Sequence, residues 1–288
     1  MPLSAIVTVI CGGGKKIKGI EVQSFEKCKE LKLPFAVCVK NQKYRDEIVT
    51  SLRTENVEWY EDIFRCLQLK FGFDSTMLNR RRCEYFHIDS MNRYFEEAES
   101  DASLDMFWND KSPFYQMFKK LDLDEVIELA CGRGRHVLKY ANMSNHITLV
   151  DVLEKNIQYC KNRFSNIQNI SYYKNNGVDL SNLNDNKYSS LFTYDAMVHF
   201  EMLDIYNYLK ETYRVLKDEG MALFHHSNMA LSYKQTFMES GNPGGRNFMS
   251  KEIFGYLAYK AGFDILEQKV IDWSLPNMDC ITLVQKHV

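Results

Sequence analysis

The stretch from Val126 to Arg135, VIELACGRGR, restricts this chain more than any other. Val126, Ile127 and Leu129 make a short apolar run of the kind found in strands covered on both faces by helices. Glu128 interrupts that run, and a carboxylate near the end of a buried strand is costly without partners. Gly132 and Gly134 then allow a sharp turn and let a ligand approach the backbone with no Cβ in the way. His136 to Met143 continues as a helix, so the turn aims amide donors at whatever binds there.

Two ligand classes use such a turn. A dinucleotide wants Gly-x-Gly-x-x-Gly, with the third glycine for close helix–strand packing. The third position here is Val137, and Glu128 precedes the first glycine, so a nicotinamide cofactor is disfavoured. A ligand with an amino acid end and a nucleoside end fits better. Glu128 can take its ammonium, directly or through water, and the glycine turn can pack against its sugar. Downstream, HITLVDVLEKN reads as a second strand ending at Asp151, placed to accept hydrogen bonds from both ribose hydroxyls.

At these residues the chain resembles the class I S-adenosylmethionine-dependent methyltransferases. Glu128 to Gly134 is similar to their first motif, with Ala130 where glycine is more usual. Arg214-Val215-Leu216-Lys217-Asp218-Glu219-Gly220 resembles their RVLKPGG turn before the fifth strand, with Asp218 and Glu219 in place of Pro and Gly. Ala261-Gly262-Phe263 is similar to the turn that precedes their sixth strand. The resemblance covers about residues 113–288. It implies an α/β fold, a Rossmann-like seven-stranded sheet closed by one reversed hairpin, with S-adenosyl-L-methionine as cofactor.

The order of elements agrees with that expectation. Strands are predicted at 125–129, 147–151, 170–174, 190–194, 221–226, 265–271 and 280–285, and helices at 135–143, 153–165, 201–216 and 250–261. Residues 1–75 read as a separate small α/β segment. It has strands at 5–11, 20–23, 34–39 and 57–60 and helices at 25–31, capped by Ser24, and 44–53, which implies a small parallel sheet. The segment KIKGIEVQSFEKCKELKLPFAVCVKN resembles the second half of Rossmann-like domains attached to sugar-modifying enzymes, without their phosphate turn. The Gly12-Gly13-Gly14 run is a weak phosphate cradle; a structural appendage, or one that pairs chains into a homodimer, is the plainer reading. Residues 76–112 are polar, aromatic and helix-prone and form either core contacts or a lid, with Trp108, Phe114 and Tyr115 as its roof.

Hydrophobic residues are 45% of the chain, enough for a proper core, and no apolar run approaches a membrane span. The N-terminus lacks the basic start of a signal peptide, which points to the cytoplasm. The net charge of −2 provides no field for nucleic acid. One basic cluster, Arg80 to Arg82, reads either as a solvated face or as a grip on a phosphorylated substrate. None of the eight cysteines forms a Cys-x-x-Cys pair, so they read as reduced, mostly buried thiols and not as a zinc site. Cys131 is a small filler of the turn.

Ligands in such sheets sit beyond the carboxyl ends of the strands. The cofactor candidates are therefore Glu128, Ala130, Gly132, Gly134 and Arg135 after the first strand and Asp151 after the second. Asn176 and Gly177 follow the third. The resemblance implies an adenine contact for Asn176, and a turn asparagine is the alternative. Tyr194 and Asp195, after the fourth strand, flank the methionine part by the same resemblance. Phe192 to Glu201 and the His225-His226-Ser227-Asn228 run resemble stretches of a bacterial subset linked to capsule and other surface-polysaccharide genes. His199, Glu201, His225 and Asn228 are expected to converge at the transferred methyl, with His199 as base and Glu201 or Asp195 orienting it, since an imidazole is suited to taking the acceptor's proton. A magnesium site from His199, Glu201 and His225 is the weaker alternative, and none is assigned. Arg246 is a second candidate for a substrate phosphate or carboxylate, and Trp273 for stacking on a sugar. The subset implies O-methylation of a polar small-molecule acceptor, a nucleotide-linked sugar or a polysaccharide precursor. N- or C-methylation of another metabolite and a non-catalytic scaffold are the rivals.

Overall fold

The computed structural model describes residues 92–230 and 246–287 continuously, together with 16–17, 20–21, 25–30, 32, 34–37, 41–60, 63–74 and 77. The strand expected at 5–11, the triple glycine, Ser24, Arg80 to Arg82 and the loop 241–245 lie outside the described residues. The chain divides into two compact units, Met1–Leu78 and Asn79–Val288.

In the first unit β1 (Lys16–Ile17) pairs antiparallel with β2 (Ile20–Glu21). After α1 (Phe25–Glu30), β3 (Phe35–Ala36) pairs in parallel with β4 (Trp59–Tyr60) across α2 (Gln42–Thr54). The predicted parallel pairing therefore holds where Phe35–Ala36 meets Trp59–Tyr60, while Ile20–Glu21 pairs antiparallel with Lys16–Ile17. Asn41 caps α2 by accepting from the Tyr44 N–H at 3.3 Å. Cys28, Phe35, Val37 and Leu52 form the buried centre, and α3 (Ile63–Phe71) follows β4.

The first described elements of the second unit are three short helices, α4 (Asn92–Ala98), α5 (Asp101–Phe107) and α6 (Pro113–Phe118). Ser112 caps α6 and Pro113 stands at its first turn, where a missing N–H costs nothing. The sheet is built from β5 (Glu125–Leu129), β6 (His146–Asp151), β7 (Ile170–Lys174), β8 (Tyr188–Thr193), β9 (Leu216–Ser227), β10 (Phe263–Ile271) and β11 (Asp279–Lys286). Their spatial order is β10-β11-β9-β8-β5-β6-β7, and β11 alone runs against its neighbours. Among the described residues the unit also holds helices α7 (Val137–Tyr140), α8 (Glu154–Arg163), α9 (Met202–Val215) and α10 (Lys251–Ala261). The chain leaves β5 for β6 and β7 on one side, then returns to lay β8 and β9 on the other. The reversal opens a crevice at the carboxyl ends of β5 and β8.

Period-two alternation sorts the strand residues into two cores. Ile127, Leu129, Leu191 and Phe224 pack with Ile205, Leu209 and Phe254 on one face. Val126, Ile147, Leu149, Phe192 and Leu223 pack with Phe114, Phe118, Val137 and Tyr140 on the other. Glu128 points to the second face, among the aromatic side chains.

The expected turn at 214–220 is not a separate turn. β9 begins at Leu216 directly after α9, with a register shift opposite Tyr188 and Ser190. Arg214 anchors the junction through the carbonyls of Leu180 (2.9 Å) and Leu183 (2.8 Å) and through the Glu211 carboxylate (2.7 Å). Glu219 stands here at φ +63°. Glycine fits that left-handed region without the Cβ clash that costs other residues about 1–2 kcal/mol. Glu219→Gly is therefore expected to raise stability by about 1 kcal/mol, read as a higher denaturant midpoint at unchanged slope; a lower midpoint would contradict the strain.

Candidate cofactor and acceptor cavity

One hollow occupies the crevice at the reversal point. It encloses about 1240 Å³ outside protein atoms, open mouth included. Glu128, Ala130, Gly132, Arg135, Asp151, Gly177, Tyr194, Asp195, His199 and Glu201 all line it.

The glycine turn forms its floor. Ala130 holds φ +59° and Gly132 φ +56°, so alanine takes a left-handed conformation that glycine adopts at less cost. Gly134 lies beneath, where a Cβ would come within 2.5 Å of the Phe164 ring. Its role is thus close packing against α8. The Gly132 N–H donates to Asp151 Oδ2 at 2.9 Å, which joins the first turn to the tip of β6. Leu153 N–H and the Asn156 amide donate to Oδ1 at 2.9 and 3.1 Å. Burial nevertheless pushes Asp151 up to about 6.

Glu128 is 2% exposed. Its Oε2 accepts from the Tyr140 hydroxyl at 2.7 Å, and its Oε1, buried, has no partner. Burial pushes this acid up to about 7, against the pull of the Tyr140 hydroxyl and the Arg135 charge. A buried, half-satisfied carboxylate on a cavity wall is the feature an ammonium would complete.

Asp195 sits at φ +55°, just past β8. It accepts from the Tyr94 hydroxyl and from Arg135 Nη2, the latter at 3.3 Å. Burial opposes its ionisation, but the Arg135 charge, His225, the Tyr94 hydroxyl and His199 together outweigh it, so its carboxyl lies below the usual range. Tyr94 and Phe95, on α4, close the cavity from above with Ala98 and Glu99. Phe95 would meet a Cβ on Gly132 at 3.0 Å, and the Arg133 guanidinium lies 4.9 Å from its ring. Glu99 pairs with Arg163 at 2.9 Å.

Several expected placements are corrected. The roof is Tyr94 and Phe95. Trp108, Phe114 and Tyr115 do not line the cavity; Trp108 packs on Phe114, Phe118 and His136, and gives its indole N–H to His136 Nδ1 at 3.0 Å. Asn176 turns away, its Oδ1 taken by the N–H groups of Val178 and Asp179. Asn175 faces the cavity in its place, 3% exposed, with Nδ2 donating to Tyr208 at 2.7 Å and Oδ1 buried without a partner. His225 is absent from the lining, since its ring lies behind Asp195 and Tyr194. Asn228 binds the Asn277 carbonyl and the Lys251 N–H, so it joins loops and does not approach the site. Arg246 is 8% exposed and doubly bonded to Asp279, which removes it as a substrate grip. Among the described residues no group of three His, Cys, Asp or Glu is arranged to hold a metal ion.

Sequence reasoning missed Asn175, Tyr94, Phe95, Asp204 and Tyr208 as wall residues. Asp204 and Tyr208 stand one turn apart on α9, a spacing that looks like ordinary helix-face packing. They share the wall with His199, which is 6% exposed in the short turn Met197–His199, and with Glu201, the residue before α9.

A methyltransferase-domain family matches residues 126–220, the span from β5 into β9. A SAM-dependent methyltransferase from Methanosarcina mazei is 13% identical over 60% of this chain and 97% of its own, with a TM-score of 0.50. The [4+2]-cyclase SpnF is 15% identical over 60% of this chain and 80% of its own, also at 0.50. At these identities the likeness is one of fold, and a cyclase on the same fold shows that fold by itself does not choose the reaction. No curated protein matches the chain in sequence. The matched domain spans the turn, the two strand-tip acids and the wall residues that follow β8, and over residues 126–220 the chain is similar to a methyltransferase domain.

Proposed function

We propose that the enzyme methylates a hydroxyl of a polar small molecule, a nucleotide-linked sugar or surface-polysaccharide precursor. The observation that carries the reading is the make-up of the cavity wall. Glu128, the Gly132 turn, Asp151 and Asn175, from the tips of β5 to β7, line the same cavity as His199, Glu201 and Asp204, from the segment after β8. Glu128, with one oxygen unpartnered, would take the cofactor ammonium, and Asp151 retains acceptor capacity for ribose hydroxyls. Asn175 Oδ1 is the acceptor for the adenine amino group. When bound, the sulfonium supplies an activated methyl whose departure leaves a neutral thioether. The chain has then to align the acceptor oxygen and remove its proton. His199 is the base in this reading, with Glu201 or Asp204 orienting it.

The acceptor class is supported by the likeness of the 192–201 and 225–228 stretches to the polysaccharide-linked subset, and the wall refines it. Arg135 is engaged with Asp195, and Arg133 lies over the Phe95 and Tyr159 rings. A sugar hydroxyl enters the cavity, and any phosphate on the acceptor remains outside this wall.

Labelled-methyl transfer from S-adenosylmethionine tests the proposal against free sugars, phosphorylated sugars and nucleotide sugars. An oxygen-linked methyl on one of them is expected. Label found on nitrogen or carbon removes the O-methylation reading, and a wild type that does not bind S-adenosylhomocysteine leaves the scaffold reading. Asn175→Ala is expected to weaken S-adenosylhomocysteine about tenfold, the scale of one buried hydrogen bond. An unchanged calorimetric affinity would return the adenine contact to another residue.

A further inference from the structure

His225, Asp279 and Arg246 stand outside the cavity lining, yet the fold gathers them into one buried chain of polar contacts. The Arg246 guanidinium straddles Asp279, with Nε 2.8 Å from Oδ1 and Nη2 2.7 Å from Oδ2. Asp279 and His225 are both fully buried, and His225 Nε2 lies 3.2 Å from Asp279 Oδ2. On the far side of the ring, Nδ1 is 3.0 Å from the backbone nitrogen of Asp195. A backbone N–H can only donate, so Nδ1 is the bare nitrogen and the ring proton sits on Nε2, donated to Asp279. Arg246 and Asp279 neutralise one another, which leaves the imidazole free to be uncharged. Tyr194 stacks on the ring at 4.4 Å and Trp273 lies at 5.4 Å, fixing its plane.

The chain of contacts ends on Asp195, whose φ of +55° lies in the left-handed region, which aspartate enters more readily than most non-glycine residues. From it the carboxylate reaches Arg135 and Tyr94. The Asp195 N–H would be left without an acceptor if His225 were lost.

We propose that Arg246, Asp279 and His225 are positioning residues. The buried Arg246–Asp279 pair sets the His225 tautomer, and His225 tethers Asp195 in the left-handed turn from which it braces the Arg135 and Tyr94 walls of the cavity. The inference rests on reading that cavity as the cofactor site. His225 takes no proton from the acceptor.

Two substitutions at one position separate positioning from bulk stability. Asparagine places its side-chain oxygen where Nδ1 stands, and glutamine places its own near Nε2. His225→Asn is expected to bind S-adenosylhomocysteine within about threefold of wild type, while His225→Gln loses about tenfold or more, with similar melting temperatures. Equal affinities, or losses that follow melting temperature alone, overturn the proposal. Imidazole nitrogen shifts of the wild-type protein provide a second reading that needs no variant. A neutral ring with the proton on Nε2 is expected, and the opposite tautomer or an imidazolium overturns the proposal even where ligand binds normally. A wild type with the expected tautomer and no affinity for S-adenosylhomocysteine would instead sink the cofactor reading, and with it the role in the cavity, while the Asp195 tether would stand.

Discussion

Glu128→Gln is expected to make the ligand-free protein more stable at pH 8 and to weaken S-adenosylmethionine binding about 100-fold, or ~2.7 kcal/mol. Both effects come from one buried charge. Glutamine can still accept from the Tyr140 hydroxyl, as Glu128 Oε2 does at 2.7 Å, so the packing is kept. What disappears is an ionised carboxylate whose other oxygen has no partner. Burial lifts this acid from 4.5 to about 7. Between those values the folded chain holds a proton that the unfolded chain has released. Stability therefore falls as pH rises through that window, by about 3 kcal/mol in total, and the full cost is present above about 7. Asp151, lifted to about 6, adds a cost of the same sign at lower pH. The wild-type protein without ligand should melt lower at pH 8 than at pH 5.5. Ligand should raise the melting temperature more at pH 8, because the ammonium finds its carboxylate already ionised. Removing one partner of a buried pair costs 2–5 kcal/mol in typical interfaces, which sets the scale of the affinity loss. Thermal melts at the two pH values and calorimetric titrations decide the matter. An affinity unchanged in Glu128→Gln, or ligand-free stability that climbs from pH 5.5 to 8, would remove the proposed ammonium site.

His199→Ala should lower kcat by about 100- to 1000-fold and leave S-adenosylhomocysteine affinity within about threefold. The separation follows from where the residue sits. His199 lies in the short turn after β8 and lines the cavity with Glu201 and Asp204, whereas the glycine turn, Glu128 and Asp151 come from β5 and β6. A group that only takes the acceptor's proton contributes to the transition state and little to cofactor binding. His199→Gln should behave like the alanine variant, since an amide fills the space without accepting a proton. The acid limb of the wild-type pH–rate profile should be absent from both. Near-normal turnover in both variants with intact cofactor binding would dismiss His199 as base and turn attention to Glu201 and Asp204.

The first motif was legible because its demands are local. An acid in an apolar run, a small-residue turn and a second acid at the next strand tip follow from backbone geometry and alternation. The structure joins them through the hydrogen bond from Gly132 to Asp151. Ala130 and Glu219, which stand where the resembled family has glycine, both hold a positive φ. The reversed hairpin was implied by the family resemblance, and β11 pairs antiparallel on both sides.

Other assignments depended on distinctions that a linear reading cannot make. Asn175 and Asn176 are the same residue type at the end of one strand, and the bend that follows sends the first into the cavity and the second into its own turn. The roof came from Tyr94, which meets Asp195 from 101 positions away in the chain. His225 carried the chemistry of a base by type, yet both its ring nitrogens are committed, one to Asp195 and one to Asp279.

The order of strands, the two carboxylates and the glycine bend were determined by the sequence itself, because each is a requirement on neighbouring backbone units or on the two-residue period of a strand. Which histidine faces the cavity, which asparagine does, and what covers the cavity were decided only when distant segments packed together. In a buried interior a polar group's role is set by the partners left to it, and those partners are chosen by tertiary contact.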